Sequence, residues 1–214
     1  DIDPLSFGCW RKTEEIEDFM RNTDFLPSAY ISRLRLGPSS GRCVMPKHYE
    51  KNGLPQRLYQ TLGRLTGEAA PHLVVAVSGG KDSMALLDAL SEEARQKGCI
   101  LRAIHIDHGL RKQSRYEAML VEKACRAWKI PLIVERLQVN ANRAKGESTE
   151  MAARRPRYQA LERLREPEEW IVTAHHQNDV AETVLMHAIQ GTGLRGLQGI
   201  PAKNGRIVRP MLAV

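Results

Sequence analysis

Residues 78–83, SGGKDS, combine types that suit one kind of chemistry. Gly79 and Gly80 let the backbone turn tightly and bring successive N–H groups up to an anion with no Cβ in the way. Ser78 and Ser83 add hydroxyls, and Ser83 is placed to cap a helix whose N-terminus carries roughly half a positive charge. Asp82 is the discordant member, because a carboxylate beside a bound phosphate makes sense chiefly with Mg²⁺ between them. The stretch therefore predicts a cradle for pyrophosphate with its metal. It is neither the GxxxxGK[ST] loop nor GxGxxG. A plain strand-to-helix turn would explain the glycines and serines but not the order SGGxDS, in which Lys81 fills the variable position.

Other clusters follow it. In HIDHGLR (105–111), His105, Asp107, His108 and Arg111 stand together. They read as hydrogen-bond partners for a nucleotide or its co-substrate, since no third-ligand spacing supports a metal site. AHHQNDVAET (174–183) packs His175 and His176 with Asp179 and Glu182, and carboxylates three residues apart share a helix face. That arrangement suits an active site; an acidic first helical turn is the alternative. In EMAARRPRY (150–158), Arg154 and Arg157 lie near one helical face and could hold a phosphate or an RNA backbone. Pro156 between them removes a backbone donor and predicts a kink. GTGLRGL (191–197), with Gly191, Gly193 and Arg195, reads as a flexible loop and by itself is a weak signal.

The elements that must position these groups alternate. Apolar runs at 73–77 (LVVAV), 100–106 (ILRAIHI), 132–137 (LIVERL) and 170–174 (WIVTA) read as strands, with amphipathic helical stretches between them. Leu54, Leu58, Leu62 and Leu65 recur at helical spacing ahead of the first strand. Leu120, Val121, Ala124, Cys125 and Trp128 make an i, i+4 stripe that reads as core. Right-handed crossovers then give an α/β fold, a doubly wound parallel sheet with helices on both faces. Ligands in such sheets bind beyond the C-terminal ends of the strands, where the motifs above fall.

Organisation changes near residue 45. Residues 1–45 read as an N-terminal extension of unassigned role, with one helical candidate at 13–22, and residues 46–214 as the catalytic domain. The extension holds six Lys/Arg against seven Asp/Glu, leaving 26 against 18 in the rest, and residues 183–214 contain no acid at all. Such a bias suits a polyanionic partner, or a solvated basic surface. The cysteines at 9, 43, 99 and 125 have no CxxC or other metal spacing, which leaves buried thiols as the reading. No run of eighteen apolar residues could span a membrane, and the first residues lack a secretory layout. The chain starts with Asp rather than Met and is expected to be a fragment of an intracellular protein.

Together, SGGKDS, IDHGLR, AAR..RY, AHHQNDVAET, GTGLRGL and RPML resemble, in order, the motifs of the tRNA(Ile)-lysidine synthetase family within the PP-loop, or N-type, ATP pyrophosphatases, over about residues 54–214. Asn178 departs from that pattern, which often has Asp there. The resemblance implies ligation of free L-lysine to C2 of the wobble cytidine in a CAU-anticodon isoleucine tRNA, with ATP giving AMP and pyrophosphate. It implies ATP contacts from Ser78, Gly79, Gly80, Lys81, Asp82, Ser83, His105 and Asp107, with Mg²⁺ on Asp82 and Asp179. Asp82, Asp179, Glu182 and Arg154 would be catalytic. His108, Arg111, Arg157, His175, His176, Gly191, Gly193 and Arg195 would meet the lysine or RNA. It further implies tRNA-gripping domains beyond this chain, admits a homodimer, and points to bacterial cytoplasm or an organellar matrix. Alternatives are another PP-loop enzyme such as a tRNA thiolase, an amide-forming ligase, or a non-catalytic nucleotide- or RNA-binding module.

Overall fold

The computed structural model describes residues 53–107, 112–137, 149–189 and 199–213, without side chains for 112–115 and 149–153. The expected helix at 13–22, His108, Arg111 and the loop with Gly191, Gly193 and Arg195 lie outside the described residues.

Helix α1 (Leu54–Thr66) leads into β1 (Leu73–Val77), α2 (Lys81–Lys97), β2 (Leu101–Asp107), α3 (Lys112–Trp128) and β3 (Leu132–Arg136). Then come α4 (Thr149–Leu164), β4 (Trp170–Val172), α5 (Gln177–Ile189), the short strands β5 (Lys203–Asn204) and β6 (Ile207–Val208), and a 3₁₀ turn (Pro210–Ala213). The sheet order is β3-β2-β1-β4-β6-β5. All pairings are parallel except the β5–β6 hairpin, the one departure from the expected parallel sheet. The last anticipated strand is shorter than its apolar run, because the chain leaves the sheet after Val172.

Side-chain alternation divides the core between the two faces. Leu73, Val75 and Val77 of β1 pack with Leu58 and Leu62 of α1, Leu87 and Leu90 of α2, and Val121 and Ala124 of α3. Val74 points the other way, into a cluster with Ile104, Ile171 and Ala160 and Leu161 of α4. The predicted α3 stripe is therefore core, and Cys125 is buried in it. Burial pushes the Cys125 thiol up to about 12, so it stays protonated and inert.

An ion pair between half-buried Arg102 and buried Glu169 ties the N-terminal edge of the sheet. Arg102 Nε and Nη2 donate to the two carboxylate oxygens of Glu169 at 2.6 and 2.7 Å, and Glu169 Oε2 also accepts the Glu166 backbone N–H. Burial pushes the Glu169 carboxyl up, but the Arg102 bond, the backbone N–H and the Arg102 charge outweigh it and hold the carboxyl low.

The order of crossings decides where a ligand can sit. From β1 the chain winds through β2 to β3 on one side, with α2 and α3 on one face, then returns via α4 on the opposite face to place β4 on the other side of β1. The β1–β4 boundary is the switch point, where a crevice opens beyond the strand ends. α2 and α5 both begin there.

Candidate active site at the sheet switch point

The loop after β1 holds its shape through serine rather than through a helix cap. Gly80 is the N-cap of α2 and there is no side-chain cap bond, which corrects the capping role expected for Ser83. Ser83 lies on the first turn, donates to the Gly80 carbonyl at 2.9 Å, accepts the Ser78 N–H at 3.2 Å and shares a bond with the Ser78 hydroxyl at 3.1 Å. The serine ties both ends of the turn together and leaves the N-terminal amides of α2 open to the cleft. Gly79 has φ 89°, a left-handed conformation that favours glycine. A Cβ there would lie 2.9 Å from Glu117 Cβ, so α3 packs directly under the turn.

A cleft of about 300 Å³ lies over this loop. β1 and α2 contribute Ser78, Gly80, Asp82 and Ser83; β2 and α3 contribute His105, Asp107 and Glu117; α4 contributes Arg157 and Tyr158. The β4 end adds Thr173, His175 and Asp179. The volume is at the lower end of small-molecule sites. His105 is 2% exposed, and its Nδ1 faces the Val77 carbonyl oxygen at 2.8 Å. Nδ1 must then carry the proton and donate, leaving Nε2 a buried acceptor with no partner among the described residues. Asp107 is buried and accepts from Arg136 Nε at 3.3 Å.

The β4 side brings the carboxylates in. His176 is the residue before α5, and Asp179 Oδ2 accepts its backbone N–H at 2.8 Å, which is half of a capping box. The same oxygen is 3.8 Å from His176 Nδ1, while His176 Nε2 is 3.6 Å from Asp82 Oδ2. One imidazole thus stands between the two carboxylates. Among the described residues no group of three or more His, Cys, Asp and Glu is arranged to hold a metal. Two carboxylates at the rim nevertheless fit Mg²⁺, which takes one or two from protein and the rest of its shell from phosphates and water. His175 shares a 2.8 Å bond with the Thr173 hydroxyl. Its burial, then the charge of Arg209, push its imidazole down to about 4 against the opposing pull of Asp179, so it is neutral near pH 7.

The remaining sequence-predicted residues divide. Helix α4 runs through Pro156 as one element. Arg157 reaches the cleft wall, whereas Arg154 is exposed and lies off it. Arg157 and Arg154 stand 5.5 and 6.0 Å from the Tyr158 ring centre. Glu182 is exposed on α5 and off the cleft wall, as is Lys81 at the start of α2. Sequence reasoning missed three residues that line the cleft: Glu117, which no motif marks, Thr173, and Tyr158, which lies within the RRPRY stretch.

Comparison with known proteins shows the family and the fold. The PP-loop domain family profile matches residues 53–214. The tRNA(Ile)-lysidine synthase of Lactococcus lactis is 40% identical over 146 residues, covering 65% of this chain and 33% of the relative. The synthase of Coxiella burnetii is 35% identical over 164 residues, covering 75% and 36%, and that of Nitratidesulfovibrio vulgaris 44% identical over 148, covering 66% and 42%. The chain thus spans between a third and about two fifths of the length of these curated relatives. Among solved structures, the U34-tRNA thiolase NcsA of Methanococcus maripaludis superposes with a TM-score of 0.53 at 19% identity, over 78% of this chain and 60% of that one, a likeness of fold. With its phosphate-cradle sequence at the switch point of the sheet and the profile matched across the described structure, the chain belongs to the PP-loop domain family.

Proposed function

We propose that this chain is the catalytic part of an enzyme that spends ATP to join L-lysine to C2 of the wobble cytidine in a CAU-anticodon isoleucine tRNA. The observation that carries the reading is the meeting, in one cleft, of the SGGKDS turn and the Asp179 carboxylate. The names of the curated relatives support the choice of substrate.

In the first step the cytidine O2 attacks the α-phosphorus of ATP, the α–β phosphoanhydride bond breaks, and pyrophosphate leaves. The uncapped amides at the start of α2 receive the departing charge, with Arg157 on the same cleft wall adding a positive one. Asp82, with Asp179, would hold Mg²⁺, which supplies charge neutralisation on the phosphates when bound. In the second step the ε-nitrogen of lysine attacks C2, the C2–O bond breaks, and AMP departs. Free lysine arrives as an ammonium with a pKa near 10.4, so it must be both attracted and deprotonated. Asp179 at the cleft and Glu182 one turn along α5 would supply the anionic charge and accept that proton. The basic surface would meet the anticodon loop mainly through phosphates and shape. A thiolase would need sulfur-carrying cysteines at the cleft, and among the described residues neither of the two cysteines, Cys99 and Cys125, lines it.

The test is incubation of the full-length protein with ATP, radiolabelled lysine and a CAU-anticodon tRNA. Label is expected in the RNA, together with stoichiometric AMP and pyrophosphate. A folded protein that leaves the RNA unlabelled refutes the reading.

A further inference from the structure

Arg209 is 4% exposed, yet among the described residues no ion pair holds it. Its Nη1 donates to the Pro201 carbonyl at 2.7 Å, and its backbone N–H donates to the Ala202 carbonyl at 2.8 Å. Nε has no partner, and no carboxylate stands within ion-pair distance among the described residues. The surrounding sequence cannot supply one, because residues 183–214 contain neither Asp nor Glu. A buried guanidinium left without an anion is costly, and its donors form a planar fork that matches a carboxylate or phosphate.

The fold places this cation on one particular side of the cleft. β6 lies beside β4, and the Thr173 N–H donates to the Val208 carbonyl, so Arg209 follows directly alongside the Thr173–His175 stretch. The Arg209 charge acts on His175, which lines the cleft. The phosphate cradle is on the β1 side, and Asp179 stands toward the β4 side with its carboxylate turned to His176.

We propose that Arg209 is the anion-recognition group of the amine-donor end of the cleft and takes the α-carboxylate of the amino-acid substrate. This rests on the ligase reading above. An amino acid with a side-chain amine has two charged ends, and only the ammonium end had a counter-charge in Asp179 and Glu182. Arg209 supplies the other, and its place beyond β6, with β4 between it and the strand that leads into the SGGKDS turn, favours a carboxylate over a nucleotide phosphate. Recognition at both ends would let the enzyme reject amines that lack a carboxylate.

The experiment uses full-length protein and two amines, lysine and 1,5-diaminopentane, which is lysine without its carboxylate. Two readouts are followed: pyrophosphate release with tRNA but no amine, which reports activation, and amine transfer to the RNA. Wild type is expected to prefer lysine by at least tenfold in kcat/KM. Arg209→Gln should raise the KM for lysine by about ten- to a hundredfold, the range for losing one charge-assisted bond, and bring the lysine to diaminopentane ratio close to one. Arg209→Lys, which keeps the charge without the fork, should fall between. An unchanged ratio in folded Arg209→Gln overturns the proposal. So does a loss carried by ATP activation, which would assign the guanidinium to a phosphate. If Arg209→Gln does not fold, the wild-type preference and the Arg209→Lys ratio decide. If wild type transfers neither amine, the ligase reading has failed instead.

Discussion

Gly79→Ala tests whether the turn is built as described. The residue sits at φ 89°, where an added side chain costs on the order of 1–2 kcal/mol. The new Cβ would also lie 2.9 Å from Glu117 Cβ and 3.3 Å from Glu117 Cα. Those atoms belong to the body of α3 and cannot swing aside as the tip of a long side chain could, so overpacking adds about 1–2 kcal/mol. The expected destabilisation is about 2–4 kcal/mol, large but inside the usual 5–15 kcal/mol of a folded domain. Urea unfolding measures it, and the melting temperature should drop by roughly 5–15 °C. Pyrophosphate release should fall much further, because relief of the overlap must move the turn away from the start of α2. A Glu117→Gly background separates the two contributions: with the Cβ–Cβ overlap gone, Gly79→Ala should cost about 1–2 kcal/mol less. A cost below about 0.5 kcal/mol in the native background, with normal turnover, would show that α3 does not support the turn.

Three further outcomes follow from named contacts. Asp82→Asn should cut pyrophosphate release by at least about a hundredfold while leaving the unfolding curve close to wild type; near-normal turnover would remove Asp82 from the metal. His175 is held neutral down to about pH 4, so protons bind the unfolded chain more readily. Stability should be complete above about pH 6.5 and fall as pH drops from there to about 4, with a ceiling of about 3 kcal/mol that screening at the cleft reduces to about 1–2 kcal/mol. His175→Gln should flatten that part of the stability–pH profile, and a profile unaltered by it would refute the assignment. Glu169→Ala removes the two-oxygen partner of the half-buried Arg102, leaving it Glu166 at 3.7 Å, and should cost about 1.5–3 kcal/mol by chemical denaturation. Because the Glu169 carboxyl is held low, its contribution is present above the ordinary carboxylate range and disappears only at more acidic pH.

The parts of the fold legible in the sequence are those in which one local rule dominates. LVVAV reads as a strand because a parallel strand covered on both faces is continuously apolar, and the glycines and serines of SGGKDS read as the strand-to-helix turn that leads from β1 into α2. β5 and β6 are two residues each, too short for any period to show. They matter, since β6 carries Arg209 to the end of β4. The burial of Arg209 contradicts the ordinary habit of its residue type, so neither its charge nor the basic composition around it foretold an interior position. Ser83 misled for a different reason. A serine near a helix start usually caps it, but here glycine takes the cap and the hydroxyl closes the turn through Ser78. Asp179 was marked by its motif and does line the cleft, whereas its bond to the His176 N–H depends on where α5 starts.

The arrangement of charge at the switch point constrains the chemistry more tightly than the fold does. Two helices begin there, and their N-termini favour anions. Each nevertheless carries a carboxylate in its first turn, Asp82 and Asp179, on either side of one imidazole. A site meant only to hold phosphate would gain nothing from those carboxylates, which repel it in the low dielectric of a cleft. They become useful when cations enter with the anion. Mg²⁺ is one and an ammonium is another, and the proposed reaction brings both. The same logic applies in reverse at Arg209, a buried cation that makes sense when an anion enters opposite it. Carboxylates at the starts of two helices beside the SGGKDS turn suit the proposed entry of a nucleotide with its metal and an amine better than the entry of a nucleotide alone.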